Sequence, residues 1–268
     1  MTTRHGAGNQ VVLETRGLTK RFGGLVAVAD FDFNIHKGEI CSLIGPNGAG
    51  KTTVFNVVTG IYKPEAGSVS FKGRDITGRK PHDIAAGGVA RTFQNIRLFK
   101  NMTCMENVMA GQHCRIRSGI LSSLFRTAAQ RSEEQRVREI AEVRLRQMDL
   151  WRFRNELAKN IAYGSQRMIE IARALASVPS ILVLDEPSSG LNPRETENLM
   201  EFLKELIVKE ELTILLIEHD MNVVMGISDW VTVMDEGCKI AEGRPEKIYN
   251  DPKVIEAYLG SDGNGQMA

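Results

Sequence analysis

The stretch Gly45-Pro46-Asn47-Gly48-Ala49-Gly50-Lys51-Thr52 matches the pattern G-x-x-x-x-G-K-[ST] at every fixed position. The apolar run at 40–44 precedes it and a helical run opens at Thr52, which is the strand–loop–helix context of a phosphate-binding loop. Glycines let the backbone wrap closely around an anion, and the N–H groups at a helix N-terminus attract phosphate. Lys51 supplies a charge for the β- and γ-phosphates, and the Thr52 hydroxyl can ligate Mg²⁺. We therefore predict a nucleoside triphosphate site, which a kinase, a GTPase or a motor ATPase could all use.

Further short apolar runs indicate the fold. The runs at 181–184, 213–217 and 231–234 are continuous, which is typical of strands buried on both faces of a parallel sheet. Helical patterns separate them, so the predicted core is α/β. Apolar residues alternate with polar ones over 31–35, as in a half-buried strand, and a second short strand is predicted at 68–72.

Polar residues that follow two of these runs are candidates for the hydrolytic chemistry. Asp185 and Glu186 stand where the carboxyl ends of parallel strands meet a phosphate site. Phosphoryl transfer needs mainly positioning and charge neutralisation, so Asp185 would hold Mg²⁺ and Glu186 would orient the attacking water. The alternative is that this pair caps a helix starting near Pro187. His219 directly follows the run at 213–217 and is a candidate contact to the γ-phosphate, and Gln94 is a candidate contact for Mg²⁺ or water.

Composition limits the class of protein. The 268 residues include 34 Lys+Arg and 33 Asp+Glu, a net charge of +1 that gives no global electrostatic reason to bind nucleic acid, and none is expected as a partner. No apolar run approaches the ~18–20 residues needed to cross a bilayer. Residues 1–10 are polar and lack an apolar signal core, so the chain is predicted neither to span a membrane nor to be secreted. Residues 261–268 are predicted to form a disordered tail.

Together these motifs resemble the nucleotide-binding subunit of ATP-binding cassette (ABC) transporters, from about residue 13 to residue 259. The signature segment at 161–167 reads I-A-Y-G-S-Q-R instead of the common L-S-G-G-Q form, with Ala162 in place of serine. Asn192 stands where Asp is frequent. The resemblance implies one nucleotide-binding domain over residues 1–260, with a P-loop NTPase (RecA-like) core, an N-terminal antiparallel β subdomain and a helical subdomain inserted at about 95–164.

The resemblance also implies roles for individual residues. Glu186 would be the catalytic base, His219 the switch histidine and Gln94 the residue of the Q-loop, while Phe22 would stack on adenine where the family usually has Tyr. The implied ATP-binding set is Phe22, Val28, Asn47, Gly48, Ala49, Gly50, Lys51, Thr52, Thr53, Tyr163, Gly164 and Ser165. The implied Mg²⁺ ligands are Thr52, Gln94 and Asp185.

Within the family, one branch is most similar: the larger ATP-binding subunit of high-affinity branched-chain amino-acid importers. The segments that carry this similarity are 91–94, 162–164, 190–193, 217–221 and 257–260. This implies an ATPase that energises import of Leu, Ile and Val. The implied partners are transmembrane permease subunits, a second identical or smaller ATP-binding subunit and, indirectly, a solute-binding protein. The implied location is cytoplasmic, peripheral on the inner face of the membrane.

Several alternatives remain open from the sequence. The solute could be urea, another amino acid or another small polar molecule, and the chain could be a soluble ABC ATPase outside transport, a small-molecule kinase or a regulator that binds ATP without turnover. The segment at 95–99 places three apolar residues, Ile96, Leu98 and Phe99, in a predicted loop. Such residues mark a docking surface for the permease, or they pack into the core of the helical subdomain.

Overall fold

Two β-sheets form the framework of the computed structural model, which describes residues 10–113 and 128–261. Their strands are β1 (Val11–Phe22), β2 (Leu25–His36), β3 (Ile40–Ile44), β4 (Ala66–Phe71), β5 (Arg74–Asp75), β6 (Val89–Arg91), β7 (Ile181–Asp185), β8 (Thr213–Ile217), β9 (Trp230–Asp235) and β10 (Cys238–Gly243). A four-stranded antiparallel sheet has the order β2-β1-β4-β5. A six-stranded sheet has the order β10-β9-β3-β8-β7-β6, with all neighbours parallel except β9 and β10.

Helices in the described part of the chain connect and cover these strands. They are α1 (Lys51–Val58), α2 (Pro81–Gly87), α3 (Cys104–Ala110), α4 (Ala128–Gln147), α5 (Tyr163–Ala176), α6 (Pro193–Glu210), α7 (Met221–Ile227), α8 (Pro245–Tyr249) and α9 (Pro252–Ser261). Short 3₁₀ turns occur at Trp151–Phe153 and Ala158–Asn160. None of these helices is both long enough and apolar enough to cross a lipid bilayer.

The central strands of the six-stranded sheet are buried on both faces, as their continuous apolar runs predict. Every residue of β3, β7 and β8 is buried. Because side chains alternate across a strand, Val183 packs into one core and its neighbours Leu182 and Leu184 into another. The first core joins the sheet to α1 and to the antiparallel sheet, where Phe31 and Phe33 contribute. The second core joins the opposite face to α3, α4, α5, α6 and α7.

The antiparallel sheet confirms the alternation read from the sequence. Within β2 the residues Phe31, Phe33 and Ile35 are buried, while the residues between them are exposed. The short strand predicted at 68–72 is β4, which begins two residues earlier and ends at Phe71. Helix α1 begins at Lys51, one residue before the predicted start.

The alternative, that Asp185 and Glu186 cap a helix starting near Pro187, is wrong. The next helix is α6, which begins at Pro193 after the N-cap residue Asn192. The Asn192 side chain accepts a hydrogen bond from the Glu195 N–H, and the Glu195 carboxylate accepts one from the Asn192 N–H. This capping box, with proline at the first helical position, fixes the start of the helix. Asp185 and Glu186 are therefore free of a capping role.

At the other end of the chain, α9 extends to Ser261, the first residue of the predicted tail. Residues 262–268 lie outside the described part of the chain.

The strand order places the candidate residues together. Strand β8 lies between β3 and β7, so three adjacent parallel strands end at one edge of the sheet. The phosphate-binding loop follows β3, His219 follows β8 by two residues, and Asp185 is the last residue of β7. This edge is the place to look for a site.

Candidate functional site

The phosphate-binding loop has a backbone that only glycine accommodates at two positions. Gly45 has φ +150° and Gly50 has φ +101°. A Cβ on Gly45 would lie 2.0 Å from the carbonyl oxygen of Met234, and one on Gly50 would lie 2.4 Å from that of Ala27. A neighbouring turn also holds the loop, because the Gly237 N–H donates a hydrogen bond of 3.0 Å to the Ala49 carbonyl oxygen. The loop backbone therefore packs directly against the backbone of β2 and β9.

Lys51 lies at the centre of this loop. Its Nζ donates to the carbonyl oxygens of Gly45 and Pro46, at 2.6 and 2.8 Å, and its side chain is buried. Burial lowers the pKa of the Lys51 ammonium, while the neighbouring carboxylates of Glu186 and Asp185 act to raise it. The loop thus holds one positive charge facing two acidic groups.

The other loop residues divide into a surface and a core group. Asn47, Gly48 and Thr52 are exposed, and Thr53 is half-buried. The side chains of Ala49 and Val28 are buried in the first core, and Val28 lies beneath Gly50. These two therefore support the loop from below.

Asp185 is buried and paired with a residue that the sequence reasoning missed. Its Oδ2 accepts from Arg91 Nη2 at 3.1 Å, and Arg91 Nη1 donates to Asn56 Oδ1 and Thr59 Oγ1 on or beside α1. Burial raises the pKa of the Asp185 carboxyl, and the Arg91 charge opposes that rise. Arg91 stands only three residues before Gln94, which could have suggested a role near the site. The sequence does not reveal that its partner is Asp185.

Glu186 brings the predicted catalytic residues together. Its Oε2 accepts from Gln94 Nε2 at 2.9 Å and lies 3.8 Å from His219 Nδ1. Glu186 has φ +46°, a conformation that non-glycine residues rarely adopt, and its N–H donates to the Ile217 oxygen. The left-handed backbone and this hydrogen bond fix Glu186 just beyond the strand end.

A second buried acid, Glu218, stands behind this group and was also missed. Its Oε1 accepts from the Ser188 N–H at 2.9 Å and its Oε2 from the His219 N–H at 3.3 Å. Burial raises the pKa of the Glu218 carboxyl, and the Ser188 hydrogen bonds oppose the rise. Glu218 therefore ties the segment after Glu186 to the segment that carries His219.

The signature segment opens helix α5 away from the phosphate-binding loop. No hydrogen bond or ion pair of the described residues joins Tyr163, Gly164 or Ser165 to residues 45–52. A Cβ on Gly164 would lie 2.5 Å from Glu195 Oε1, so a larger residue here would displace the Glu195 carboxylate on α6. Tyr163 is exposed over 46% of its surface.

Phe22 ends strand β1 and is 42% exposed. Its ring meets Tyr62 edge-on, with 5.2 Å between centroids, and Lys20 Nζ lies 5.2 Å from its centroid. The aromatic ring is thus accessible, as a base-stacking residue must be.

The segment at 95–99 borders an apolar groove of about 360 Å³ between the sheet and the helices. Phe99 lines the groove and is 54% exposed, and Phe93 and Arg173 line it as well. Leu98 packs against the second core instead, and Ile96 is half-buried. Of the two interpretations of this segment, core packing is therefore correct for Leu98, while Phe99 presents an apolar surface.

Known proteins with similar sequences are ATP-binding proteins of ABC transporters. A family profile described as ABC transporter matches residues 28–189, and one described as branched-chain amino acid ATP-binding cassette transporter matches residues 238–264. The high-affinity branched-chain amino acid transport ATP-binding protein BraF of Pseudomonas aeruginosa is 48% identical over 249 residues, covering 93% of this chain and 98% of that protein.

Solved structures agree with the fold. The ADP conformation of MJ1267, an ATP-binding cassette of an ABC transporter, has a TM-score of 0.82 and 35% identity, covering 94% of this chain and 100% of that one. The dimeric post-hydrolysis state of the ATP-binding cassette MJ0796, bound to ADP and Pi, has a TM-score of 0.73 and 25% identity, covering 87% and 98%. These structures confirm the predicted α/β class with a P-loop NTPase core.

Proposed function

The chain belongs to the ABC transporter family, whose ATP-binding subunits hydrolyse ATP to power transport, and from this premise we propose that it energises the import of branched-chain amino acids. The observation that carries the proposal is the 48% identity with a branched-chain amino acid transport ATP-binding protein over 93% of the chain. The profile match at 238–264 supports the same branch independently of the phosphate-binding loop.

The test is purification of the chain together with its membrane partners and reconstitution into vesicles. We expect ATP-dependent uptake of labelled Leu, Ile and Val. Uptake of urea or of an unrelated amino acid instead would assign the chain to an importer for that solute. ATP hydrolysis by a chain that binds no membrane protein would favour an ABC ATPase outside transport.

The loop residues bind the triphosphate of ATP. The Lys51 ammonium is already held at the loop's centre by the Gly45 and Pro46 oxygens, from which it can reach the β- and γ-phosphates. The backbone N–H groups of the exposed residues Asn47 and Gly48 and of the start of α1 add donors for the anion. Phe22, with its accessible ring, stacks on the adenine.

Oxygen donors around the loop suit Mg²⁺. Thr52 is exposed, and its hydroxyl, the Asp185 carboxylate and the Gln94 amide oxygen are the hard oxygen ligands that this ion prefers. The described residues contain no group of three or more His, Cys, Asp or Glu that could cage a metal, which fits an ion held largely by phosphate and water. With these residues as ligands, Mg²⁺ would neutralise negative charge on the triphosphate.

Glu186 acts as the base that orients and deprotonates the attacking water. Gln94 donates to its Oε2 over 2.9 Å and so orients the carboxylate, and His219 Nδ1 lies 3.8 Å from the same atom. His219 is 60% exposed, which leaves its ring free to contact the γ-phosphate. This arrangement supplies the positioning on which phosphoryl transfer depends.

A second ATP-binding subunit completes the site. The signature residues Tyr163, Gly164 and Ser165 make no hydrogen bond with the chain's own phosphate-binding loop in the described structure. We assign them to the ATP of a facing subunit, in line with the dimeric form of a similar cassette bound to ADP and Pi. The branch implies a heterodimer with a smaller sister subunit, acting on permease subunits at the inner face of the membrane.

The groove beside Phe99 is the surface that receives the permease. It is lined by Phe93, the residue before Gln94, and mainly by apolar side chains, a composition that suits a helix presented by a membrane subunit. The groove would lie at the base of the helical subdomain inserted at about 95–164 in the single domain of residues 1–260.

Phe99→Asp is therefore expected to reduce solute uptake by about tenfold, because a charge introduced into an apolar contact removes a large part of its binding energy. The measurement is uptake in reconstituted vesicles alongside ATP hydrolysis by the purified chain, which should persist. Val208→Asp is the matched control, since Val208 is 83% exposed on α6 and does not line the groove. Equal uptake by both variants would contradict docking at Phe99.

A further inference from the structure

A buried ion pair on helix α5 holds the backbone of the segment that contains Gln94. Arg167 and Glu170, one helical turn apart, are 0% and 1% exposed, and Arg167 Nη1 lies 3.0 Å from Glu170 Oε2. Neither residue is among the predicted catalytic, ATP-binding or Mg²⁺ residues, although Arg167 is the last residue of the signature segment. Arg167 is the largest fully buried side chain of the described residues.

Each partner of the pair contacts the backbone of the Q-loop, by which we mean residues 93–97. Arg167 donates to the carbonyl oxygens of Phe93 and Gln94, at 2.8 and 2.7 Å. Glu170 Oε1 accepts from the Arg97 N–H at 3.0 Å. The pair therefore fixes the loop backbone at both of its ends, through three hydrogen bonds to main-chain groups.

Packing alone does not explain this choice of residues. A buried ion pair adds little to stability compared with apolar residues of similar volume. Arg167 Nε is in addition buried without a hydrogen-bond partner, which carries a desolvation cost. What the pair provides is a defined geometry of the loop backbone, because hydrogen bonds are directional and contacts of apolar side chains are not.

The pair lies between three functional features. The N-terminus of α5 carries the signature residues, and Tyr163 Oη accepts a hydrogen bond from Arg167 Nη2 at 3.3 Å. The Gln94 side chain donates to Glu186. Arg173, 3.9 Å from Glu170, lines the groove with Phe93 and Phe99.

We propose that Arg167 and Glu170 are positioning residues that make α5 and residues 93–97 move as one body, so that a partner pressing on the groove displaces Gln94 and the signature segment together. This inference rests on the proposed function, because it assigns the coupling between the permease and the Glu186 site to this pair. Two rigidly joined elements can transmit such a displacement, whereas a loop held only by its chain ends would absorb it.

The test replaces the pair by apolar residues of similar size, Arg167→Met with Glu170→Leu, which leaves no lone buried charge to unfold the chain. Amide hydrogen exchange over residues 93–97 should become faster, and the stimulation of ATP hydrolysis by the solute-loaded binding protein in the assembled importer should fall about tenfold. ATP binding to the isolated chain, which depends on Lys51, should be unchanged.

The matched control is Arg144→Met with Glu210→Leu, an Arg–Glu pair between α4 and α6 that does not touch the Q-loop. It should leave exchange at 93–97 and the stimulation intact. If the first double variant does not fold, Arg167→Lys is the substitute. Lysine keeps the positive charge but lacks the planar guanidinium that donates to two carbonyl oxygens at once. The stimulation of ATP hydrolysis in this variant should be weaker than in wild type but not abolished.

The outcomes separate the two hypotheses. Unchanged exchange and unchanged stimulation in the folded double variant, or equal losses in the control, would overturn the role of the pair. A wild-type importer that shows no stimulation at all, while exchange at 93–97 still responds to the double variant, would instead count against the proposed transport function.

Discussion

Glu186→Gln should remove ATP turnover while ATP binding persists. The amide cannot accept the proton of the attacking water, and removal of a positioned base costs about 10²–10⁴-fold in rate. The substitution keeps the size of the side chain, so the contacts with Gln94 and His219 are disturbed little. The measurement is steady-state phosphate release, with the ATP dissociation constant determined on the same sample.

Glu236→Gln provides a control with the same chemical change. Glu236 also has a left-handed backbone, φ +44°, but it lies in the exposed turn between β9 and β10. Its variant should release phosphate at the wild-type rate. Turnover near wild type in Glu186→Gln would mean that another group activates the water, and the role of Glu186 would have to be abandoned.

Lys51→Ala should weaken ATP binding by about 10- to 100-fold, since a hydrogen bond to a charged group contributes about 1.5–3 kcal/mol. The loss has two parts. The triphosphate loses its cationic partner, and the oxygens of Gly45 and Pro46 lose the donor that holds the loop in shape. Calorimetric titration with ATP and Mg²⁺ measures the affinity, and thermal unfolding checks that the variant is folded.

Lys209→Ala is the corresponding control, because Lys209 is an exposed lysine whose ion pair with Glu205 lies on the surface of α6. Its ATP affinity should match that of wild type. An ATP dissociation constant that is unaffected by Lys51→Ala would show that the backbone donors of the loop bind the phosphates unaided.

Local patterns were sufficient for the framework of the site. The bounds of β3 and β8 follow from their continuous apolar runs, and the glycine spacing predicted the loop that the structure wedges between β2 and β9. The start of α6 was missed although its signal is local, since Asn192, Pro193 and Glu195 form a readable capping box.

Contacts between residues far apart in sequence were not readable. Arg91 and Asp185 are 94 positions apart, and Arg167 reaches Gln94 across 73. Arg, Asp and Glu are ordinary surface residues, so nothing in their local surroundings distinguishes a buried pair from a solvated one. Only the strand order, which puts β6 beside β7 and β8 between β7 and β3, brings these groups within hydrogen-bond distance.

The sequence by itself determined the chemistry: a loop that binds phosphate, acids at the ends of buried strands and the family to which such an order of motifs belongs. These depend on residue types at short spacing, and short spacing fixes local conformation. The tertiary structure decided which groups form ion pairs or hydrogen bonds with each other. It also decided that Phe99 is exposed while Leu98 is packed, and that side chains of α5 bind the backbone of the Q-loop. Such contacts depend on how sheets and helices pack, which short-range patterns do not encode.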